Sequence, residues 1–419
     1  MKWSTGKRAG IRTGALWLVL MALASLSEVA GAAKMVDTTV GRVTVENQSQ
    51  SVQQSARREA LAQVLVKMSG NPSVLESSDV TAALRRSQAY LRSYRFEDKD
   101  QGLIYVATFD EQALSSLLRN AALPVWGNRR PQTLLWLAVK EDSGKRYILD
   151  DAQPREWVDT LFDTAQRRGV PVSLPLMDLQ DNQTISIYDV WGRFADALRN
   201  ASERYGTDNI IGARLYRNTV SKMPALPSLQ DVEQTEDQDG QAGDGNSPDP
   251  SDKDSQQTPA SSLPFTSEEF TSLKERAAAG EYALDWIFVS NQGPVAGSLF
   301  GDNPEMLMEK LMNTYATYLA SQFAIVPSMS SEQSQRIEIS VANLDSLEKY
   351  AHATGYLSSL SVVEYVSLSQ QNGSVATFTL QLIGTGQDLR NTISLESRLQ
   401  PVADAFGQPL QGYNFYWNE

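Results

Sequence analysis

The chain has one histidine, His352, and no cysteine among its 419 residues. Thiol nucleophiles, disulfides and Cys-zinc sites are therefore excluded, and a lone histidine has no partner for a multi-His metal site. Chemistry would fall to carboxylates, of which two suffice for glycoside hydrolysis. Asp178, Asp181 and Asp189 follow a predicted strand end, where α/β folds place sites. In a chain with 50 acids, however, such clustering is expected by chance. Gly384-Thr385-Gly386 precedes a helix and resembles half of a phosphate loop, but no third glycine or lysine follows. It reads as a turn with an N-cap. No G-x-S-x-G elbow and no G-x-x-x-x-G-K-[ST] loop is present. The sequence therefore predicts no enzyme, no catalytic residue, no cofactor and no metal site.

Two segments are better candidates for binding a partner. Leu123-Pro-Val-Trp-Gly-Asn-Arg-Arg-Pro131 holds Trp126, Arg129 and Arg130 between two prolines. The C-terminus holds Phe415, Tyr416 and Trp417. Trp, Tyr and Arg commonly anchor interfaces. The plainer expectations are an interdomain strap for the first and a tail docked on its own protein for the second.

The elements around these segments predict a multi-module chain of α/β and α+β units. A small α+β unit is expected over residues 34–126: a strand at Val36–Val45, helices at Gln53–Met68, Val80–Tyr94 and Glu111–Ala122, and a strand at Leu103–Phe109. Arg85, Arg86, Arg92 and Arg95 read as a solvated helix face. A central α/β domain is expected over 132–327. Its strands are Leu134–Val139, a nearly continuous apolar run that suits a strand covered on both faces, then Val170–Pro175, Ile210–Tyr216, Ala283–Ser290 and Val295–Phe300. Its helices are Pro154–Arg168, most of Ser186–Tyr205, and one opened by Asn303 and Pro304. That last helix carries Leu307, Leu311, Tyr315, Tyr318 and Leu319 on one side. Residues 335–404 follow β-α-β-β-α-β order, that of a ferredoxin-like unit. Asp345 and Glu348 are placed for a capping box, Leu347, Tyr350, Ala351, Thr354 and Leu357 for a buried stripe, and Asn372-Gly373 for a hairpin. Leu395–Val402 is its expected last strand, with residues 405–419 an aromatic tail.

Residues 228–264 break the pattern. Nine acids lie between Asp231 and Asp254 against one base, Lys253, with few large apolar side chains. Such composition predicts disorder. Because the strands before and after it each look incomplete alone, it is expected to be an insertion inside the α/β domain; the rival view is a linker between two domains.

The N-terminus predicts a location. Lys2, Lys7, Arg8 and Arg12, the apolar run Ala15–Leu26 and Ala30-Gly31-Ala32 form the three parts of a signal peptide, with cleavage expected after Ala32. The run is too short to cross a bilayer at about 1.5 Å per residue, and no later apolar stretch predicts a membrane span. Net charge is −13, and near −16 without the first 32 residues, so no nucleic-acid partner is expected. A soluble periplasmic protein with an envelope protein partner is expected, of undetermined oligomeric state. The alternatives are a carboxylate-dependent hydrolase acting on a cell-wall polymer, and a small-ligand sensor working through the C-terminal unit.

The strap Leu123–Gly127 with Arg130-Pro131 and Leu135-Trp-Leu-Ala138, together with Arg168-Gly-Val-Pro-Val172, Leu174-Pro-Leu176 and Ala201-Ser-Glu-Arg-Tyr-Gly206, resembles the exported Gram-negative family catalogued as domain of unknown function 2066. The resemblance implies a match from about Lys34 to Asp404 and brings no assigned activity or site residue. The strand–helix order of the second block also resembles the periplasmic α/β domains of envelope assembly proteins.

Overall fold

The computed structural model describes residues 33–99, 102–151, 156–218, 280–327, 336–404, 408 and 410–418. The signal peptide and the acidic segment 228–264 lie outside the described residues.

The first unit comprises strands β1 (Lys34–Met35), β2 (Val40–Val45), β3 (Leu91–Lys99) and β4 (Gly102–Phe109), and helices α1 (Gln50–Ser69), α2 (Ser78–Arg85) and α3 (Glu111–Asn120). β2, β4 and β3 form an antiparallel sheet. α1 lays Ala56, Ala60, Leu61, Val64, Leu65 and Met68 against it. Gly70 ends α1 in the left-handed conformation at φ 76° and donates its N–H to the Val66 carbonyl. There a Cβ would also collide with Ala320, so two constraints reserve the position for glycine. The helix expected over Val80–Tyr94 is corrected: it stops at Arg85, and the chain turns into strand β3. Arg92 and Arg95 thus lie on a sheet, where Arg95 pairs with Glu97 and Arg92 with Asp110.

The strap holds β5 (Arg129–Arg130), which pairs with β1. The central domain then adds β6 (Thr133–Lys140), β7 (Arg146–Ile148), α4 (Glu156–Arg168), β8 (Val172–Ser173), α5 (Leu179–Thr184), α6 (Ile187–Gly192), α7 (Ala195–Ser202), β9 (Asn209–Arg217), β10 (Tyr282–Val289), β11 (Val295–Gly301) and α8 (Pro304–Phe323). Its sheet runs β11-β10-β9-β6-β7, with β8 also on β6. β6 is parallel to β9, and β9 is antiparallel to β10. Leu135, Leu137 and Val139 face a core shared with α4 and α8, while Leu134, Trp136 and Ala138 face Ile185, α6 and α7. This two-sided burial explains why β6 reads as a continuous apolar run. Asn303 caps α8, its Oδ1 accepting the Met306 N–H, with Pro304 in the first turn. Residues 218–281 connect two neighbouring strands of one sheet, with Arg217 opposite Tyr282.

The last unit holds β12 (Arg336–Ala342), α9 (Leu347–Ser358), β13 (Val363–Asn372), β14 (Val375–Leu382), α10 (Gly386–Ile393), β15 (Leu399–Pro401) and β16 (Asn414–Trp417). The β-α-β-β-α-β order holds through β15. The sheet order is β13-β14-β12-β16-β15. The ferredoxin-like expectation is corrected at its end: β16 inserts between β12 and β15, parallel to the first and antiparallel to the second. The expected last strand is therefore shorter and one place further out. The α9 cap also differs. Ser346, not Asp345, accepts the Lys349 N–H, and Asp345 pairs with the Lys349 ammonium instead. Leu347 thereby becomes the first residue of the helix and is 82% exposed.

Candidate functional site

Three units meet at the strap, and β-strand alternation decides what each strap residue reaches. Successive side chains on a strand point to opposite sides. Arg129 turns to the C-terminal unit: its Nε donates to Glu396 Oε1 at 2.8 Å, and its two terminal nitrogens to the Ser359 carbonyl and hydroxyl. Arg130 turns the other way and is fully buried. Its Nη2 donates to the Lys67 carbonyl at 2.8 Å and the Trp126 carbonyl at 3.1 Å, and its guanidinium lies 3.3 Å from the centre of a Trp126 ring. Trp126 donates its backbone N–H to Met68 O and packs in the central core. Val125 and Ile325 exchange backbone hydrogen bonds beside it. Gly127 lies where a Cβ would come within 2.5 Å of the Ser361 hydroxyl.

Arg168, at the end of α4, completes the junction. It donates to the Gly70 carbonyl at 2.8 Å and to Asn313 and Thr317 on α8. Two buried arginines thus meet the carbonyls at the C-terminus of α1. No carboxylate pairs with either among the described residues; the negative end of the α1 dipole and its terminal carbonyls supply the complement. Burial lowers the pKa of both arginines, to about 10 at Arg168, and Arg168 adds repulsion at Arg130.

Five of the six residues expected to bind a partner make contacts within the chain. Trp126, Arg129 and Arg130 are engaged within the chain, as are Phe415 and Trp417, which β16 buries beneath α9. Their aromatic area and guanidinium donors close internal interfaces. Only Tyr416, on the opposite side of β16, stays exposed, at 47%.

Asp178, Asp181 and Asp189 also have structural work. Asp178 caps α5 and pairs with Arg204 at 2.6 Å, which together hold its carboxyl well below the usual range. Asp181 is buried and accepts from Arg204, from Tyr205 Oη and from the Met177 N–H. Asp189 closes a capping box with Ser186. His352 lies on the exposed side of α9. Among the described residues, no group of His, Asp or Glu is placed to hold a metal ion.

Beside the junction a cleft of about 570 Å³ opens between the first unit and the α/β domain. Lys34, Arg42, Lys67, Arg95 and Arg167 line it with one carboxylate, Asp37. Glu97 holds Arg42 and Arg95, each at 2.7 Å, and Glu309 approaches Arg167 at 3.9 Å. Five cations against three carboxylates leave a local positive surplus in an acidic chain. Phe162, Val170 and Val172 form an apolar part of the wall. Lys67 is 6% exposed, and the one hydrogen bond its ammonium makes among the described residues runs to the Val40 carbonyl at 2.8 Å. A second cleft of about 390 Å³ is lined mainly by amides and hydroxyls, among them Gln132, Asn209, Asn291, Gln322 and Asn391.

The basic cleft is not visible in the linear sequence, because its cations are scattered from Lys34 to Arg167. Lys67 sits in the last turn of a helix, where a lysine ordinarily complements the dipole in solvent. Burial instead presses its pKa to about 8, against a partly offsetting attraction from Asp37. Below pH 8 both the folded and unfolded chains hold this proton, and the folded chain bears the cost of burying the charge. Between pH 8 and the ordinary value near 10.5, the folded chain releases the proton first, so stability rises with pH. Lys67→Met lacks this dependence. The stability of the parent relative to K67M should increase by about 3 kcal/mol across that window, read from urea midpoints at pH 7, 9 and 10.5.

Fold and site together describe a multi-module α/β and α+β protein built around buried interfaces. Residues 337–408 match the family model DUF2066, and residues 32–127 match the model described as Domain of unknown function (DUF8605). The resemblance to DUF2066 is borne out in the C-terminal unit. Its extent is corrected: the strap and the motifs between Leu135 and Gly206 lie outside that match, and the first unit matches a different model. No curated protein and no solved structure matches the chain.

Proposed function

We propose that the chain is an exported, non-catalytic binding factor of the cell envelope, with residues 1–32 serving as a signal peptide cut after Ala32. The observation that carries the binding role is the positively lined cleft between the first unit and the α/β domain. Ligand sites are clefts of roughly 300–1,000 Å³ with a mostly apolar wall and a few convergent polar groups. This cleft has that size, and joins an apolar wall to a more strongly charged set of convergent groups. Its wall includes Lys34 and Met35, which lie just beyond the expected cleavage point, so removal of the leader would leave the mature N-terminus at its rim. Among the described residues no helix is long and apolar enough to cross a membrane.

Fractionation of Gram-negative cells expressing the untagged chain tests this reading. The expected result is a periplasmic protein whose N-terminal residue is Ala33, crosslinked in intact cells to an envelope component. An uncleaved chain in the cytoplasm, or crosslinks that recover no envelope component above background, would overturn it.

A further inference from the structure

Lys67 is an unusual residue to bury. Its ammonium has three donors, one of which reaches the Val40 carbonyl. No carboxylate lies within ion-pair distance of it among the described residues; Asp37 attracts it from further off and offsets part of the burial, while the buried Arg130 and Arg42 add repulsion. A buried lysine without a paired carboxylate costs stability unless something else compensates. Lys67 forms part of the cleft wall, so that compensation can come from a bound group.

The surroundings specify the group. Arg42 adds a second cation, fixed by Glu97 at 2.7 Å, and its backbone N–H is held by Gln63, another wall residue. Fixed cations beside a desolvated ammonium suit an oxyanion. Phe162, Ala165, Val170 and Val172 of the α/β domain make the apolar part of the same cleft, and Met35 adds an exposed thioether. A bare anion would leave this apolar wall unused, and a neutral chain would leave Lys67 without a close counter-charge. The cleft volume suits a ligand of modest size.

We propose that the cleft binds a single-chain anionic amphiphile, with its carboxylate or phosphate head on Lys67 and Arg42 and its chain along Phe162, Val170 and Val172. The proposal rests on the binding role assigned above and names the ligand class of that same cleft. It is independent of where in the cell the chain resides.

Calorimetric titration of purified residues 33–419 tests it with four probes: decanoate, decanoyl lysophosphatidic acid, neutral monodecanoylglycerol and inorganic phosphate. The first two distinguish a fatty acid from a lipid phosphate as the source of the head. At least one of them should bind saturably, and at least about tenfold more tightly than the neutral ester or free phosphate. Lys67→Met should weaken that binding by about tenfold or more, and Arg42→Gln should also weaken it. K67M removes a buried charge, so thermal melts should show it folded, which separates lost binding from lost structure. The proposal is overturned if neither anionic amphiphile binds, if the neutral ester or phosphate binds equally well, or if K67M binds like the parent. These outcomes are separable from failure of the export reading, because the purified chain needs no leader or cell compartment.

Discussion

A chain ending at Gly412 should lose the folded C-terminal unit. β16 is a central strand: it takes Ser340, Val341 and Ala342 of β12 on one side and Leu399, Gln400 and Pro401 of β15 on the other. Removing it leaves β15 without a partner strand and exposes one side of β12. It also removes Phe415 and Trp417 from the core, where Trp417 is fully buried against Tyr356. Replacing a buried aromatic by alanine costs about 3–5 kcal/mol, and here two such side chains leave together with their ladder. Domains have only about 5–15 kcal/mol in hand. Limited proteolysis should therefore digest residues 336–412 of the truncated chain while sparing the first unit. Resistance equal to the parent would show that β16 is dispensable.

Trp126→Ala should be the most damaging single substitution at the junction, at about 3–5 kcal/mol. The ring fills the central core, abuts the Gly70 turn and covers the guanidinium of Arg130. Its loss opens a cavity at the meeting point of three units and strips the stacking partner from a buried charge. Arg130→Met should be far milder. Arg130 leaves Nε and Nη1 without a partner among the described residues, so much of its binding energy is offset by desolvation. Replacing such a group by an apolar one of similar size is often neutral or stabilising. Urea unfolding of the two variants checks the contrast; equal losses would mean that the arginine, rather than the indole, holds the units together.

Features set by local chemistry are legible in the sequence. α8 announces itself by Asn303, Pro304 and a long apolar side, and β6 by seven buried residues in a row. Features decided by competition are not. Asp345 and Ser346 are adjacent residues that can both cap a helix, and the choice of Ser346 shifts the start of α9 by one residue, which sends Leu347 outward. Arg85, Arg86, Arg92 and Arg95 look like one solvated helix face, yet from Leu91 onward β4 supplies a partner strand that helix propensity cannot anticipate. Phe415, Tyr416 and Trp417 contain a period-2 signal, in-out-in, that a four-aromatic tail obscures. The site depends on long-range assembly. Trp126, Arg129 and Arg130 stand out by type, but only the fold shows that they face inward, and Lys67 gains its meaning from elements that lie far from it in the chain.

The clasp at the strap also imposes an order on folding. Ala33 donates its backbone N–H to the carbonyl of Leu395, and β1 pairs with β5 just beyond it. A chain synthesised from its N-terminus presents residue 33 first and residue 395 nearly last. The core of the first unit can form early from its own sequence, whereas this hydrogen bond must wait for the third. Until then one edge of the β1–β5 ribbon lacks its final neighbour, and the Lys34–Met35 rim of the basic cleft has one tether fewer. Completion of the last unit is thus the event that sets the first residues of the described chain in place.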